Sequence, residues 1–282
     1  MSTAAHPTEA PTQAPTSPFT LAVCAEMVHT GLPLIDRIRR IGAHGQAAEI
    51  WDWSRPEVDL KEIARVGVPV LSMTGYLRGD LVEPEGVAEL LSTARESAQA
   101  AQALTNDLTG TPRLNLHGTG LDPQGLPVRP TEVVTGSMWA RATRTLEQIA
   151  ALGEELGVVF ELENLNRAVD HPGTPFASPA DTLALVSAID SPHLRMNLDL
   201  YHAQIGDGNL IETCRQALPW IGQIQVADVP GRAEPGTGEI AYPAIAAALA
   251  EMGYDGIVAM EAWASQDSDA AIEQFVRAFS TP

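Results

Sequence analysis

Eight times along this chain an apolar run of strand length is followed by a stretch with helical spacing, and that alternation restricts what the chain can fold into. The pairs are Phe19–Ala25 with Leu34–Ile41, Ala47–Ile50 with Leu60–Val66, Pro69–Met73 with Val87–Leu104, and Arg113–Leu116 with Glu132–Leu156. They continue as Val158–Leu162 with Pro179–Ile189, Leu194–Leu198 with Leu210–Ala217, Ile221–Val226 with Tyr242–Met252, and Gly256–Met260 with Ser268–Phe279. Continuously apolar strands bury both faces, so they belong to a parallel sheet covered by helices, and eight such units close into a single (β/α)8 TIM barrel of class α/β. A doubly wound open sheet is the structural competitor, but no Gly-x-Gly-x-x-Gly turn follows the first strand, so no dinucleotide site is supported.

Residues 1–18, rich in Ala, Thr, Pro, Ser and Gln, read as a disordered N-terminal tail, and residues 19–282 as the barrel. The start of the chain has no basic stretch leading into an apolar one, and no apolar run reaches bilayer length. With 36 acidic against 17 basic residues the formal charge is −19, which opposes binding to a phosphate backbone or an anionic membrane. Small solutes, a divalent cation and further protein subunits, including copies of this chain, stay open as partners. Cys24 and Cys214 form no Cys-x-x-Cys pair and are expected as two core thiols in a reducing cytoplasm.

Polar residues punctuate the strand ends. The fifth strand runs out in Glu161-Leu162-Glu163-Asn164, the sixth in Asn197-Leu198-Asp199-Leu200-Tyr201-His202, the seventh at Gln225 and Asp228, and the eighth at Glu261. The C-terminal strand ends form the catalytic face of a barrel, so Glu163, Asp199, Gln225 and Glu261 are placed to converge on one point. Three carboxylates that close would repel one another unless a cation sat among them, and an all-oxygen set favours Mg²⁺ or Mn²⁺ over Zn²⁺. His202, three residues past Asp199, and His117, at the end of strand four, can face the same cavity. Trp51, Trp53 and Tyr76 would wall its mouth.

Glu163-Asn164-Leu165-Asn166, Asp199-Leu200-Tyr201-His202, Gln225-Val226-Ala227-Asp228-Val229-Pro230-Gly231-Arg232 and Glu234-Pro235-Gly236-Thr237-Gly238-Glu239-Ile240 together resemble the hydroxypyruvate isomerase family of xylose-isomerase-like barrels. The match is close from about residue 158 to 263 and weak before it. The resemblance implies that Glu163, Asp199, Gln225 and Glu261 hold the metal, that Glu163 and Glu261 also form the acid/base pair, and that His202 and Arg232 contact substrate. Glu49 matches a glutamate usual in the family and joins His117 as a candidate substrate contact. Three positions depart from the family pattern: Asn164 replaces a usual Pro, Ala233 a usual His, and Gln223 a usual His two residues before the metal-binding Gln.

The expected activity is a divalent-metal-dependent isomerisation of aldose–ketose type on a small hydroxy-keto acid or sugar, through an enediolate. Ketose 3-epimerisation is the nearest competitor, and a lyase-type subunit acting on an oxidised sugar is another. A nucleic-acid repair enzyme of the same barrel group would want a His-rich zinc cluster and a basic groove, which this sequence lacks. A metal-free binding protein would be recognised by the absence of stoichiometric metal.

Overall fold

The computed structural model describes residues 17–107 and 110–280, so residues 1–16 of the expected tail lie outside the described residues. Ser17, at the tail's end, donates its hydroxyl to the Phe279 carbonyl at 2.8 Å. The elements follow in the order β1 (Thr20–Cys24), α1 (Leu34–Ala43), β2 (Ala47–Glu49), α2 (Leu60–Val66), β3 (Val70–Thr74), α3 (Pro84–Ala101), β4 (Arg113–Leu116) and α4 (Gly136–Leu156). They continue with β5 (Phe160–Glu163), α5 (Pro179–Ile189), β6 (Leu194–Asp199), α6 (Leu200–Gly206), α7 (Leu210–Ala217), β7 (Ile221–Val226), α8 (Tyr242–Glu251), β8 (Ile257–Met260) and α9 (Ser268–Ala278). The strands pair in parallel in sequence order, and β1 also pairs with β8, which closes the barrel. It is a single (β/α)8 TIM barrel.

Alternation along each strand sorts the side chains. Val23, Leu114, Phe160, Leu198, Ile224 and Val258 join one apolar cluster with the helix residues Ile38, Leu90, Leu146 and Leu185. Small apolar residues on neighbouring strands, Ala259, Ala22, Ala47 and Leu71, form a separate cluster that fills part of the barrel interior. The barrel also holds an ion pair between part-exposed Arg113 and fully buried Glu161, at 3.0 Å. It fits only because β7 is bulged at Gly222, where any Cβ would lie 2.0 Å from Glu161 Oε1. Cys24 and Cys214 are free and buried, as expected of core thiols.

Helix starts carry the caps that sequence chemistry demands. Asp59, Ser178 and Asp267 accept backbone N–H groups at the starts of α2, α5 and α9, and Gly67 and Gly157 end α2 and α4 in the left-handed conformation. Two helix starts differ from expectation and one helix is additional. Helix α3 begins at Pro84 rather than Val87, with Pro in its first turn. Helix α4 begins at Gly136 rather than Glu132, because Thr135 takes the cap by accepting from the Met138 N–H. Asp199 caps a further short helix, α6, by accepting the His202 N–H at 2.9 Å, so the polar run after β6 turns at once into a helix. No described helix is long and apolar enough to cross a membrane.

Candidate active site

The strand register brings the candidate residues to one end of the barrel. Glu163 lies beside Asn197 and Asp199 beside Gln225, while the Glu261 N–H bonds the Val226 carbonyl at 3.0 Å. All four proposed metal ligands are buried. Ligand atoms of Glu163, Asp199 and His202 lie within 4.8 Å of one another. Burial first, and then the charge of Glu261, pushes the Glu163 carboxyl up to about 8. Asp199 is raised well above the usual carboxylate range by burial and the charge of Glu163.

The other two expected ligands are engaged by neighbours. Glu261 accepts from Trp51 Nε1 at 2.7 Å through Oε1 and pairs with Arg232 through Oε2. Gln225 accepts from Asn197 Nδ2 at 2.5 Å and donates to Glu49 at 3.2 Å.

His202 completes the cluster in a defined tautomer. Asn166 Oδ1 accepts the Val169 and Asp170 N–H groups at 3.0 Å, so its amide NH2 faces His202 Nδ1 at 2.7 Å. Nδ1 therefore accepts and the proton resides on Nε2, which is fully buried with no hydrogen-bond partner, 3.8 Å from Glu163 and 3.7 Å from Asp199. Burial, and then the charge of Arg232, holds His202 well below its usual value, so it stays neutral. An Nε2–H is a donor, which suits contact with a substrate oxygen better than ligation of a metal.

Arg232 sits at φ 53° on the loop after β7, with its guanidinium carbon 5.2 Å from the Tyr201 ring centroid. Asp228 holds that loop: its carboxylate accepts the Val229, Gly236 and Ile240 N–H groups at 2.8–3.0 Å. Asp228 is thus a clamp on the loop that carries Arg232. Glu234 ties the same loop to the β8 exit by accepting from Ser265 N and Oγ.

His117 reaches Glu163 Oε2 at 3.2 Å, and its other ring nitrogen meets the Tyr76 hydroxyl at 2.9 Å. Burial pushes His117 down to about 4. Trp51 and Trp263 meet edge to face, ring centroids 6.4 Å apart, beside Glu261. Glu49, placed among the substrate contacts by its sequence position, is almost wholly buried, and its two oxygens accept from Gln223 and Gln225. Asn164, standing where a Pro is usual, exchanges hydrogen bonds with both backbone groups of Asp199, at 2.9 and 3.0 Å, and so straps β5 to β6.

Sequence reading left Asn115, Asn197, Asn166 and His171 without roles. His171 packs edge-on against His202, and the two strand asparagines link the ligands beneath the site. The signal available in the sequence is the phase of β4 and β6: Asn197 pairs with Glu163 and Asn115 with Glu161, one inward position below it.

The family model for xylose isomerase-like TIM barrels matches residues 35–280. The chain belongs to that family. Among its relatives, the human protein named "Putative hydroxypyruvate isomerase" is 31% identical over 239 residues, 82% of this chain and 84% of that one. The 2-oxo-tetronate isomerase of Pectobacterium atrosepticum is 41% identical over 105 residues, 37% of this chain and 40% of that one. The solved structure of an L-ribulose 3-epimerase shares the fold with a TM-score of 0.73 at 20% identity, covering 93% of both chains. The protein is accordingly an isomerase on a xylose isomerase-like barrel.

Proposed function

We propose that this enzyme is a divalent-metal-dependent isomerase of aldose–ketose type, acting on a small hydroxy-keto acid or sugar through an enediolate. The observation that carries this reading is the pair of buried glutamates, Glu163 ending β5 and Glu261 following β8, close enough for the charge of one to raise the other. Glu163, Asp199, Gln225 and Glu261 would hold Mg²⁺ or Mn²⁺. The donor set fits: buried carboxylates crowd one spot, and Arg232 is the one guanidinium paired to them there among the described residues. A cation bound there supplies Lewis-acid stabilisation to the negative charge that develops on the substrate oxygens.

The chain's own groups do the rest. One glutamate takes the proton from the hydroxyl-bearing carbon beside the carbonyl, a proton is returned to the former carbonyl carbon, and the hydroxyl proton passes to the former carbonyl oxygen, which completes the exchange of carbonyl and hydroxyl. His202 Nε2–H and the Arg232 guanidinium donate to substrate oxygens, while Trp51 and Trp263 bound the mouth. Ketose 3-epimerisation is the second reading. Carboxylates on strands β5 and β8 can address two faces of one carbon, and an L-ribulose 3-epimerase shares the fold.

Deuterium uptake from D₂O decides between them, with Mg²⁺ or Mn²⁺ added and a panel of hydroxypyruvate, tartronate semialdehyde, 2-oxo-tetronate and neutral ketoses. Label on either of the two carbons between which the carbonyl moves, with that relocation observed, supports isomerisation; label on the carbon beside a carbonyl that stays in place, with inversion there, supports epimerisation. Absence of exchange with every member contradicts both.

A further inference from the structure

We infer that Glu49 is a positioning residue: through a chain of side-chain amides beneath the site it holds Gln225 with its carbonyl oxygen, and not its NH2 group, on the side of Glu163 and Asp199. This rests on the metal reading proposed above. The chain crosses five strands. Asn115 Nδ2 donates to Glu163, Asn197 Nδ2 donates both to Asn115 Oδ1 at 3.1 Å and to Gln225 Oε1 at 2.5 Å, and Gln225 Nε2 donates to Glu49 Oε2 at 3.2 Å. Gln223 Nε2 donates to the other oxygen of Glu49 at 2.9 Å and fixes its carboxyl in turn.

The two ends of an amide are nearly isosteric, but only the oxygen can ligate a cation. What selects the end is therefore part of the site. Glu163 and Glu49 are acceptors at the two ends of the chain, and the direction of donation reverses at Asn197, whose NH2 donates both ways, so each amide between them has one orientation that satisfies its neighbours. Asn197 fixes only the oxygen side of Gln225, through the NH2 that it also donates to Asn115 Oδ1, and its own Oδ1 is buried with no partner; the NH2 side of Gln225 needs an acceptor elsewhere. Among the described residues, Glu49 is the group that accepts from the Gln225 NH2. Gln223, where the family resemblance expects a His, is explained by the same arrangement: it keeps Glu49 in place.

The test is Mn²⁺ affinity, measured by calorimetry and by the electron paramagnetic resonance of free Mn²⁺, on wild type, Glu49→Met, Gln225→Ala and the double variant. Loss of a group that orients a metal ligand typically weakens metal binding about 10- to 100-fold, and Glu49→Met is expected to do so. The double variant should bind no more weakly than Gln225→Ala alone, since Glu49 has no task once Gln225 is gone. Glu49→Gln guards against a folding defect: it keeps one acceptor for Gln225, so its affinity should fall between those of wild type and Glu49→Met, again with no further loss in the Gln225→Ala background. Wild-type Mn²⁺ affinity in folded Glu49→Met and Glu49→Gln, or additive effects with Gln225→Ala, would overturn the inference while leaving the metal reading intact. A wild-type protein that binds no Mn²⁺ would overturn both.

Discussion

At the scale of single residues, the site is set by which polar atoms have partners. Arg232 is paired with Glu261 and carries a two-pronged guanidinium over Tyr201. Arg232→Lys keeps the charge and loses the fork, so kcat/KM is expected to fall roughly 10- to 100-fold, the equivalent of one charge-assisted hydrogen bond, with metal content unchanged. Steady-state kinetics beside metal analysis check this. Glu161 makes a second residue-scale case, away from the site. Burial, partly offset by Arg113, pushes its carboxyl up from 4.5 to about 7. Its folded-state value lies above the unfolded one, so ionising Glu161 opposes folding. Its contribution is fully present below about 4.5 and is lost as pH rises through about 7. Relative to Glu161→Gln, the wild type should therefore lose thermal stability across that window, on the order of 3 kcal/mol in total. Melting curves of both proteins from acid to neutral pH measure it, and parallel curves would contradict it.

At the scale of elements, the strands and most helices were legible because their signals are local: apolar runs, caps such as Ser178, and terminal glycines. Helix α6 was not, since Asp199-Leu200-Tyr201-His202 reads equally as a strand end, and only the Asp199 carboxylate bonded to the His202 N–H turns the backbone there. The loop after β7 stood out in the sequence as a polar, Gly- and Pro-rich segment. Which of its charges reaches the site depends on tertiary closure: Arg232 meets Glu261, while Asp228 binds the loop's own backbone. Asp228→Ala would take the acceptor from three loop N–H groups, those of Val229, Gly236 and buried Ile240. It is expected to lower Tm by roughly 5–10 °C and to raise KM by loosening Arg232. An unchanged Tm would return Asp228 to a passive position.

At the scale of the whole molecule, closure of the barrel gathers residues more than 200 positions apart, such as Trp51 and Glu261, which no local pattern could pair. Glu163, Asp199, Gln225 and Glu261 could be nominated in advance because a barrel assigns its C-terminal strand ends to one face. The strand asparagines could not, and Glu49 could be nominated only as a substrate contact and not with its Gln223 and Gln225 partners, because those partners lie across the interior on other strands. A cation bound only by the folded barrel should raise Tm with its concentration, by about 4 kcal/mol of added stability at a thousandfold excess over Kd. EDTA should reverse that gain and abolish turnover, and full activity in metal-free protein would contradict the metal reading. The central claim is the proton transfer between carbon and the glutamate pair. It is tested most directly by solvent-deuterium exchange into substrate by Glu163→Gln and Glu261→Gln, each verified to contain bound metal. Gln keeps a carbonyl oxygen for ligation but cannot accept a proton, so both variants should lose exchange and isomerisation together, by about 10²-fold or more, and the double variant should be no worse than the poorer single one. Exchange and isomerisation at the wild-type rate in both metal-loaded variants would contradict the account.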